Sequence, residues 1–310
     1  MGTAITYIPV SAVIATANRA AVFNKTLTSL FNQSFVPQQI IVVDASETQE
    51  THLLCTQNYP IIEWIKANIK GAAAQRNEGL KLVQTDLVFF MDDDIIFEDH
   101  CIQNLWTAIN STNDIGGVNA MITNQQYHSP GKVTRFMYQL MHGKKISSYA
   151  GLCIGPAWNL LPEDNNSLPV IQEVGWLNTT CTFYRKEALP NPPFQSHFKG
   201  YSLMEDVTLS LEVGKSWKLY NARTARIYHD SQPGSHKNNV RIVAAMQLVN
   251  RHYVMSKVLQ RKAVPDYLKL LVFEIFGLAT SLTNAKGWKQ LVPSFIGKLQ
   301  GVYKILIQKN

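Results

Sequence analysis

The sequence predicts an α/β protein: a largely parallel sheet covered by helices on both faces and continued by a helical tail. Three observations carry the prediction. Short apolar runs rich in β-branched residues alternate with stretches of helical composition through the first third of the chain, as in a parallel sheet whose strands are buried on both sides. Hydrophobic residues make up 46% of the 310 residues, enough for a full core and too many for wholesale disorder. Beyond Asn239 the chain reads as helical to its end. No repeat with a period of about 20–50 residues is visible, which removes solenoids and propellers.

Taken in order, Val10–Ala15 (VSAVIA) is the first strand, and Leu27, Leu30, Phe31 and Phe35 follow at helical spacing. Gln39–Asp44 (QIIVVD) is a second buried strand ending in an acid, and Ile61–Ile65 is a weaker third. Ala72–Val83 has helical composition, and Asp86–Met91 (DLVFFM) is another buried strand. Ligands of such sheets bind at the carboxyl ends of the strands, so Asp44 and the acids after Met91 are candidates for function. From Ile115 to about Asn239 short strands (Val118–Thr123, Thr180–Arg185, Lys218–Asn221, Ala225–Tyr228) are separated by loops rich in Pro, Gly and Asn, among them Gly155–Pro169. Met204–Gly214 reads as a helix, Arg241–Gln260 as another, and Pro265 starts the next. Trp288, Leu291, Val292, Phe295, Ile296, Leu299, Val302, Tyr303 and Leu306 then recur at spacings of three and four, an amphipathic stripe that Pro293 either starts or kinks. The domain reading is a catalytic domain over 1–239, with a nucleotide-binding half (1–114) and an acceptor half (115–239), and a basic helical tail over 240–310.

Charge is unevenly spread. Lys and Arg number 29 against 22 Asp and Glu, for +7 overall. The segment Arg241–Asn310 holds eleven Lys/Arg and two Asp/Glu, a balance of +9, so the first 240 residues carry −2. A uniformly basic nucleic-acid binder does not look like this, and no nucleic acid is expected as a partner. Lys286, Lys289, Lys298, Lys304 and Lys309 interleave the apolar stripe, the composition of a helix that lies on an anionic membrane surface; packing on the catalytic domain, or on a second subunit in a homo-oligomer, is the alternative. Charged residues total 16%, below the roughly 25% typical of soluble domains, which points to a greasy surface. No apolar stretch of about 20 residues is free of charge; Tyr267–Leu282 comes nearest and is interrupted by Lys269 and Glu274. No export signal is evident at the N-terminus. Cys55, Cys101, Cys153 and Cys181 stand far apart with no C-x-x-C pair, which reads as reduced, buried thiols in a cytosolic protein and not as a zinc site.

The acidic clusters carry the chemistry. Asp92-Asp93-Asp94 follows an entirely apolar strand. Three adjacent carboxylates repel one another, and a divalent cation is the simplest agent to hold them ionised. Hard oxygen ligands suit Mg²⁺ or Mn²⁺, which also bind phosphate oxygens; a solvated acidic turn is the bland reading. Glu205-Asp206 opens an apolar helix, where acids favour the helix dipole or serve as a general base in a cleft. His229 ends a short strand downstream and could be a third metal contact.

Together these residues resemble the inverting family 2 glycosyltransferases, whose GT-A fold is a Rossmann-like mixed sheet flanked by helices. Val10-Ser11-Ala12-Val13-Ile14-Ala15-Thr16-Ala17-Asn18-Arg19 is similar to that family's first strand and nucleotide loop, with Ala15 and Ala17 where Pro and Tyr are usual. Leu27-Thr28-Ser29-Leu30 with Gln33 and Pro37 resembles the next helix and turn, and Ile40-Ile41-Val42-Val43-Asp44 the second strand, with Ala45-Ser46-Glu47 where Gly-Ser usually follows the aspartate. Gly71, Ala74, Arg76, Asn77 and Gly79 resemble the donor-side helix, Phe90-Met91-Asp92-Asp93-Asp94 the D-x-D motif, Met204-Glu205-Asp206 the E-D motif and Tyr228-His229 the late histidine. The resemblance covers roughly Ser11–Asp230 with five motifs in order. It implies that Asp44 contacts the nucleotide base, that Asp92 faces the ribose, that Asp94 and His229 hold Mg²⁺ or Mn²⁺ on the diphosphate, and that Asp206 is the base, tuned by Glu205. Ala15, Thr16, Asn18, Arg19, Arg76, Asn77 and Asp93 fall in its donor-binding motifs. The processive members' Gln-x-x-Arg-Trp and transmembrane helices are missing; Gln247–His252 lacks the Trp and the spacing.

The implied activity is transfer of one sugar, or a few, from a UDP-, GDP- or dTDP-sugar to a hydroxyl of a glycan or lipid-linked glycan. Cell-surface polysaccharide or glycolipid synthesis on the cytoplasmic face of the membrane is the implied setting. Arg76 or Arg226 could assist the diphosphate, and Trp176, Asn178, Phe198 and Tyr201 could contact sugar, although core packing is the commoner role of a single aromatic. A metal-dependent sugar-phosphate nucleotidyltransferase is the rival enzyme, but it wants a Gly-rich basic first loop that Ala15–Ala20 does not supply. A non-catalytic membrane-bound scaffold is the second rival; the intact Asp94, Asp206 and His229 speak against it.

Overall fold

The computed structural model describes residues 5–198, 202–232 and 239–307. Tyr201 and Lys309 lie outside the described residues. The chain forms two compact units, one of Met1–Tyr127 with Leu161–Gln232 and one of His128–Leu160 with Pro233–Asn310.

In the first unit β1 (Thr6–Thr16), β2 (Phe35–Asp44), β3 (Ile62–Lys66) and β4 (Leu87–Met91) form the parallel part of a sheet in the order β3-β2-β1-β4. The connecting helices are α1 (Ala20–Phe31), the short α2 (Glu50–Leu53), prolonged by a π-helical turn at Leu54–Asn58, and α3 (Ala72–Leu80). The sheet continues from β4 through β10 (Cys181–Arg185), β6 (Ile115–Ile122) and β11 (Lys218–His229) to β5 (Ile95–Phe97). Strand β10 is antiparallel to both its neighbours, and β9 (Ile171–Glu173) pairs with β11 off the main path. The observed fold is thus the expected mixed α/β sheet flanked by helices, with a helical C-terminal part.

Alternation explains the unbroken apolar strands. Val10, Ala12, Ile14, Ile40, Val42, Phe89 and Met91 pack into one core, while Val13, Ile41, Val43, Val88 and Phe90 pack into the other. Successive side chains of a strand point to opposite faces, so a strand covered on both sides needs apolar residues at every position. Helix α3 presses close: a Cβ at Gly79 would stand 2.6 Å from Val13 Cγ1, so only glycine lets this helix approach β1 and β2.

Several boundaries differ from the sequence reading for local reasons. The helical spacing carried to Phe35 breaks at Asn32, and Phe35 is the first residue of β2. The two closing strands are one strand, β11, with an irregular register between Ala222 and Arg226; a bulge of this kind interrupts the apolar alternation without ending the strand. Helix α4 (Cys101–Ile109) covers β6 and β11 and had not been singled out.

In the first unit α6 (Glu205–Val213) precedes β11, and the second unit holds α5 (Lys132–His142), the two-stranded β7 (Cys153–Ile154) and β8 (Trp158–Asn159), and the helices α7 (Val240–Tyr253), α8 (Val264–Thr280) and α9 (Ala285–Ile307). Residues 128–160 thus join the segment after 239 in one unit. Helix α9 starts at Ala285 and runs through Pro293. It meets α7 with its glycines: a Cβ at Gly297 would be 3.0 Å from Ala244 Cβ, and one at Gly301 would be 3.2 Å from Leu248 Cβ. Since the small side of α9 packs inward, the apolar stripe stays outside, with Val292, Phe295, Leu299, Tyr303 and Leu306 each more than half exposed. Glu274 is buried between Arg251 and Lys298 and ties the three helices together. No helix among the described residues is long and apolar enough to cross a membrane. None of the four cysteines is in a disulfide, and Cys55, Cys101 and Cys181 are buried; burial pushes the Cys55 thiol up to about 12.

Candidate active site

The carboxyl ends of β1, β2, β4 and β11 and the start of α6 bring the predicted residues to one region of the first unit. Met91 ends β4, and the three aspartates that follow diverge. Asp92 keeps about a quarter of its side chain exposed and accepts from Arg76 Nη2 at 2.6 Å. Asp93 turns inward: Thr16 Oγ1 donates to its Oδ2 at 2.6 Å and Arg19 Nη1 lies 3.2 Å from Oδ1. Burial pushes Asp93 up to about 6, against the pull of Arg19 and Thr16. Asp94 stands between Arg19 Nη1, 3.0 Å from Oδ2, and His229 Nε2, 3.1 Å from Oδ1. Burial would raise Asp94, but the His229 hydrogen bond and charge, with Arg19, outweigh it and hold the carboxyl below its ordinary value. The charge balance assigned from sequence to a cation alone is therefore shared with two arginines.

One ligand atom each from Asp92, Asp94 and His229 lies within 4.8 Å of the others. Two carboxylates and an imidazole form a donor set that suits Mn²⁺ or Mg²⁺ with waters or phosphate oxygens completing the shell. His229 is held from behind: Gln125 Nε2 is 3.2 Å from its Nδ1, and Asn124 exchanges two hydrogen bonds with its backbone at 2.9 and 3.1 Å. An amide accepts as readily as it donates, so Gln125 serves either imidazole tautomer. The donor set fits the metal. Sequence reasoning passed over Asn124 and Gln125; their place just after the carboxyl end of β6 was the available signal.

The second acidic pair opens α6. Met204, with φ of 74°, occupies the left-handed region just before it, a costly conformation for a side chain of this size that concentrates at functional turns. Glu205 is buried and paired with Arg76 Nη1, and its Oε2 has no partner among the described residues. Burial pushes Glu205 up to about 7, against the pull of Arg76 and with help from Asp206 and Asp92. Asp206 is partly exposed and accepts from the Val207 amide at 2.8 Å. Burial pushes it up to about 6, against that hydrogen bond and the Arg76 charge. A carboxylate poised there is ionised at neutral pH and still basic enough to take a proton.

Arg76 is the unexpected centre. It is buried, joins Asp92 of one acidic cluster to Glu205 of the other, and stacks over Phe194 at 5.6 Å. Other candidates prove to hold loops. Asn77 pairs both ends of its amide with the Phe194 backbone, at 2.7 and 3.2 Å. Asn18, at a positive φ of 57°, links the loops after β1 and β2 by accepting from Glu47 N at 2.8 Å and donating its own N–H to Ser46 Oγ at 2.7 Å. Asp44 is fully buried, with Ser46 N on Oδ1 at 2.7 Å and Trp64 Nε1 on Oδ2 at 3.2 Å. Ala15 is half-buried at the end of β1. Arg226 is engaged elsewhere, by Glu98 at 3.1 Å and Asp164 at 2.7 Å. Trp176 and Phe198 are buried, and Asn178 is buried with its Oδ1 unpartnered among the described residues.

The sequence profile described as Glycosyl transferase family 2 matches residues 11–190. The chain belongs to this family. The matched part of this family 2 glycosyltransferase contains Asp44, Arg76 and the three aspartates; Glu205, Asp206 and His229 lie beyond it. A curated relative, the poly(ribitol-phosphate) β-N-acetylglucosaminyltransferase TarP of Staphylococcus aureus (strain N315), is 25% identical over 103 residues, a match covering 31% of this chain and 32% of TarP. Among solved structures, S. aureus TarS 1–349 in complex with UDP-GlcNAc matches with a TM-score of 0.57 and 14% identity, over 95% of this chain and 82% of that one. The mannosyltransferase PcManGT of Pyrobaculum calidifontis, in complex with GDP-Man and Mn²⁺, matches with a TM-score of 0.55 and 12% identity, over 97% and 88%. At such identities these two likenesses speak to the fold alone.

Proposed function

We propose that this glycosyltransferase moves a single sugar from a UDP-, GDP- or dTDP-sugar to a hydroxyl of a glycan or lipid-linked glycan, with inversion and with Mg²⁺ or Mn²⁺, in cell-surface polysaccharide or glycolipid synthesis. The observation that carries the reading is the joining of Asp92, of the Asp92–Asp94–His229 donor set, to Glu205, beside Asp206, through one buried arginine. Asp92, Asp94 and His229 would hold the divalent ion, which when bound neutralises charge on the departing diphosphate. Asp206 accepts the proton of the attacking hydroxyl. Glu205, held by Arg76, stands beside Asp206 and is itself raised by the Asp206 charge. Arg19 supplies positive charge beside Asp93 and Asp94, and Thr16 fixes Asp93. Asp44, with its loop partners Asn18 and Ser46, shapes the base pocket. The nucleotide sugars bound in the two similar structures make UDP-GlcNAc and GDP-Man the first of the panel to try.

A thermal-shift panel of nucleoside diphosphates and nucleotide sugars tests the donor reading. With Mn²⁺ the right nucleotide, at about 100 times its dissociation constant, stabilises the fold by about 2.7 kcal/mol. Chelator removes the shift, and Asp94→Ala abolishes the metal dependence. Equal binding in chelator and in Mn²⁺ would make the Asp92–Asp94–His229 assignment wrong.

The same proposal places the protein on an anionic membrane surface through α9. Its outward stripe carries Phe295 and Leu299, with Lys286, Lys289 and Lys304 exposed on the same helix. Each basic residue near such a surface contributes about 1 kcal/mol, so binding to anionic liposomes falls as salt rises, and Phe295→Asp with Leu299→Asp abolishes it. Salt-independent sedimentation, unchanged in the double variant, would instead favour a protein partner or a second copy.

A further inference from the structure

The second unit holds a cavity of about 310 Å³, partly open to solvent, whose walls carry His142, Arg261, Asp266 and Lys269. Its two cations are tethered by neutral groups. Arg261 Nη1 donates to the Gly155 carbonyl at 2.6 Å, and Lys269 Nζ donates to the Met141 carbonyl at 3.4 Å. Neither is ion-paired among the described residues. The one carboxylate in the wall is committed elsewhere, because Asp266 Oδ2 accepts from Ala263 N at 3.0 Å and caps the start of α8. Gly155 has a φ of 54°, and a Cβ there would stand 3.0 Å from Met141 Cβ, so the carbonyl that holds Arg261 sits where a glycine alone is comfortable. The cavity therefore gathers a guanidinium and an ammonium, with the His142 ring beside them, against the single carboxylate of Asp266.

We propose that this cavity binds a phosphate ester. A guanidinium fork and an ammonium are complementary to the oxygens of a phosphate group. The volume lies at the low end of small-molecule sites, about 300–1,000 Å³, and suits a headgroup-sized ligand. The two helices that supply His142 and Lys269 also present apolar side chains to solvent: Val133, Phe136 and Leu140 on α5, and Leu268 and Leu271 on α8. Charged cavity and apolar surface on the same pair of helices match a phosphate carried by a lipid, with a soluble phosphate ester as the other source of the same chemistry. The site is independent of the donor reading, since it uses none of the acids assigned to transfer.

The test has two arms on the full-length protein. One titrates glycerol 3-phosphate, followed by ³¹P line broadening. The other compares phosphatidylcholine vesicles carrying phosphatidic acid with vesicles carrying oleate at matched surface charge. The site predicts saturable binding in at least one arm, with phosphatidic acid preferred to oleate if the carrier is a lipid; the arm that saturates names the source. Arg261→Gln and Lys269→Gln each weaken that binding about tenfold, the worth of one charge-assisted contact, while Lys269→Arg retains it and donor binding is unchanged. Should Arg261→Gln lower the melting temperature through its Gly155 contact, Lys269→Gln alone decides. Equal binding to phosphatidic acid and oleate with no response to glycerol 3-phosphate overturns the proposal, as does wild-type phosphate affinity in Lys269→Gln.

Discussion

Asp206→Asn is expected to lower turnover by about 10²–10⁴, the usual contribution of a general base, and to leave donor affinity nearly intact. The substitution keeps size and hydrogen bonding but removes proton acceptance, while the Asp92–Asp94–His229 set is untouched. The pH profile provides a second readout. Burial places Asp206 at about 6, and only its ionised form can accept a proton. The wild-type kcat/KM therefore falls as pH drops through about 6, and that limb vanishes in the asparagine variant. Glu205→Gln is milder because Glu205 stands beside the base. A dead Glu205→Gln beside a fully active Asp206→Asn would exchange the two roles.

Arg76→Met is expected to be the most destabilising single change in the site. It leaves Glu205 buried without a partner and frees Asp92, and breaking a buried ion pair from one side costs about 3–5 kcal/mol. The loss depends on pH with a definite sign. Glu205 already titrates at about 7 against an ordinary 4.5, so the folded chain holds this proton more tightly than the unfolded chain does, and stability contributed by the group falls as pH rises from about 4.5 through 7. Without Arg76 its folded value rises further and the fall steepens. Denaturant melts of the variant should approach wild type near pH 5 and separate most near pH 8. A pH-independent difference would mean that the arginine stabilises by packing on Phe194 and not by charge.

The sequence disclosed the parallel half of the fold because its strands are buried on both faces: Ile40–Val43 and Leu87–Met91 are apolar at every position, and an acid follows each. The acids were legible for the same reason, since Asp92–Asp94 and Glu205–Asp206 interrupt or precede apolar runs at element ends. What lay hidden was long-range pairing. Arg76 is 16 residues from Asp92 and 129 from Glu205, and no local pattern distinguishes such a bridge from a surface arginine. Asn77 and Asn18 lie in the right motif yet spend their amides on loop backbone, a choice set by which segment packs nearby. Helix α5 escaped notice because it is apolar on two sides, with Tyr138 and Met141 buried and Val133 and Phe136 exposed, so its periodicity is blurred. The stripe on α9 faces outward, and the side that packs inward is the opposite, glycine-bearing one, Gly297 and Gly301.

The most direct test of nucleotide-sugar transfer at this site is the slow release of nucleoside diphosphate from UDP-, GDP- and dTDP-sugars without acceptor. It is measured with Mn²⁺, with Mg²⁺ and with chelator, for wild type and for Asp94→Ala. The assignment predicts release from one nucleotide class, dependent on the divalent ion and lost in Asp94→Ala. Release at the same rate in chelator, or undiminished in the variant, would contradict it.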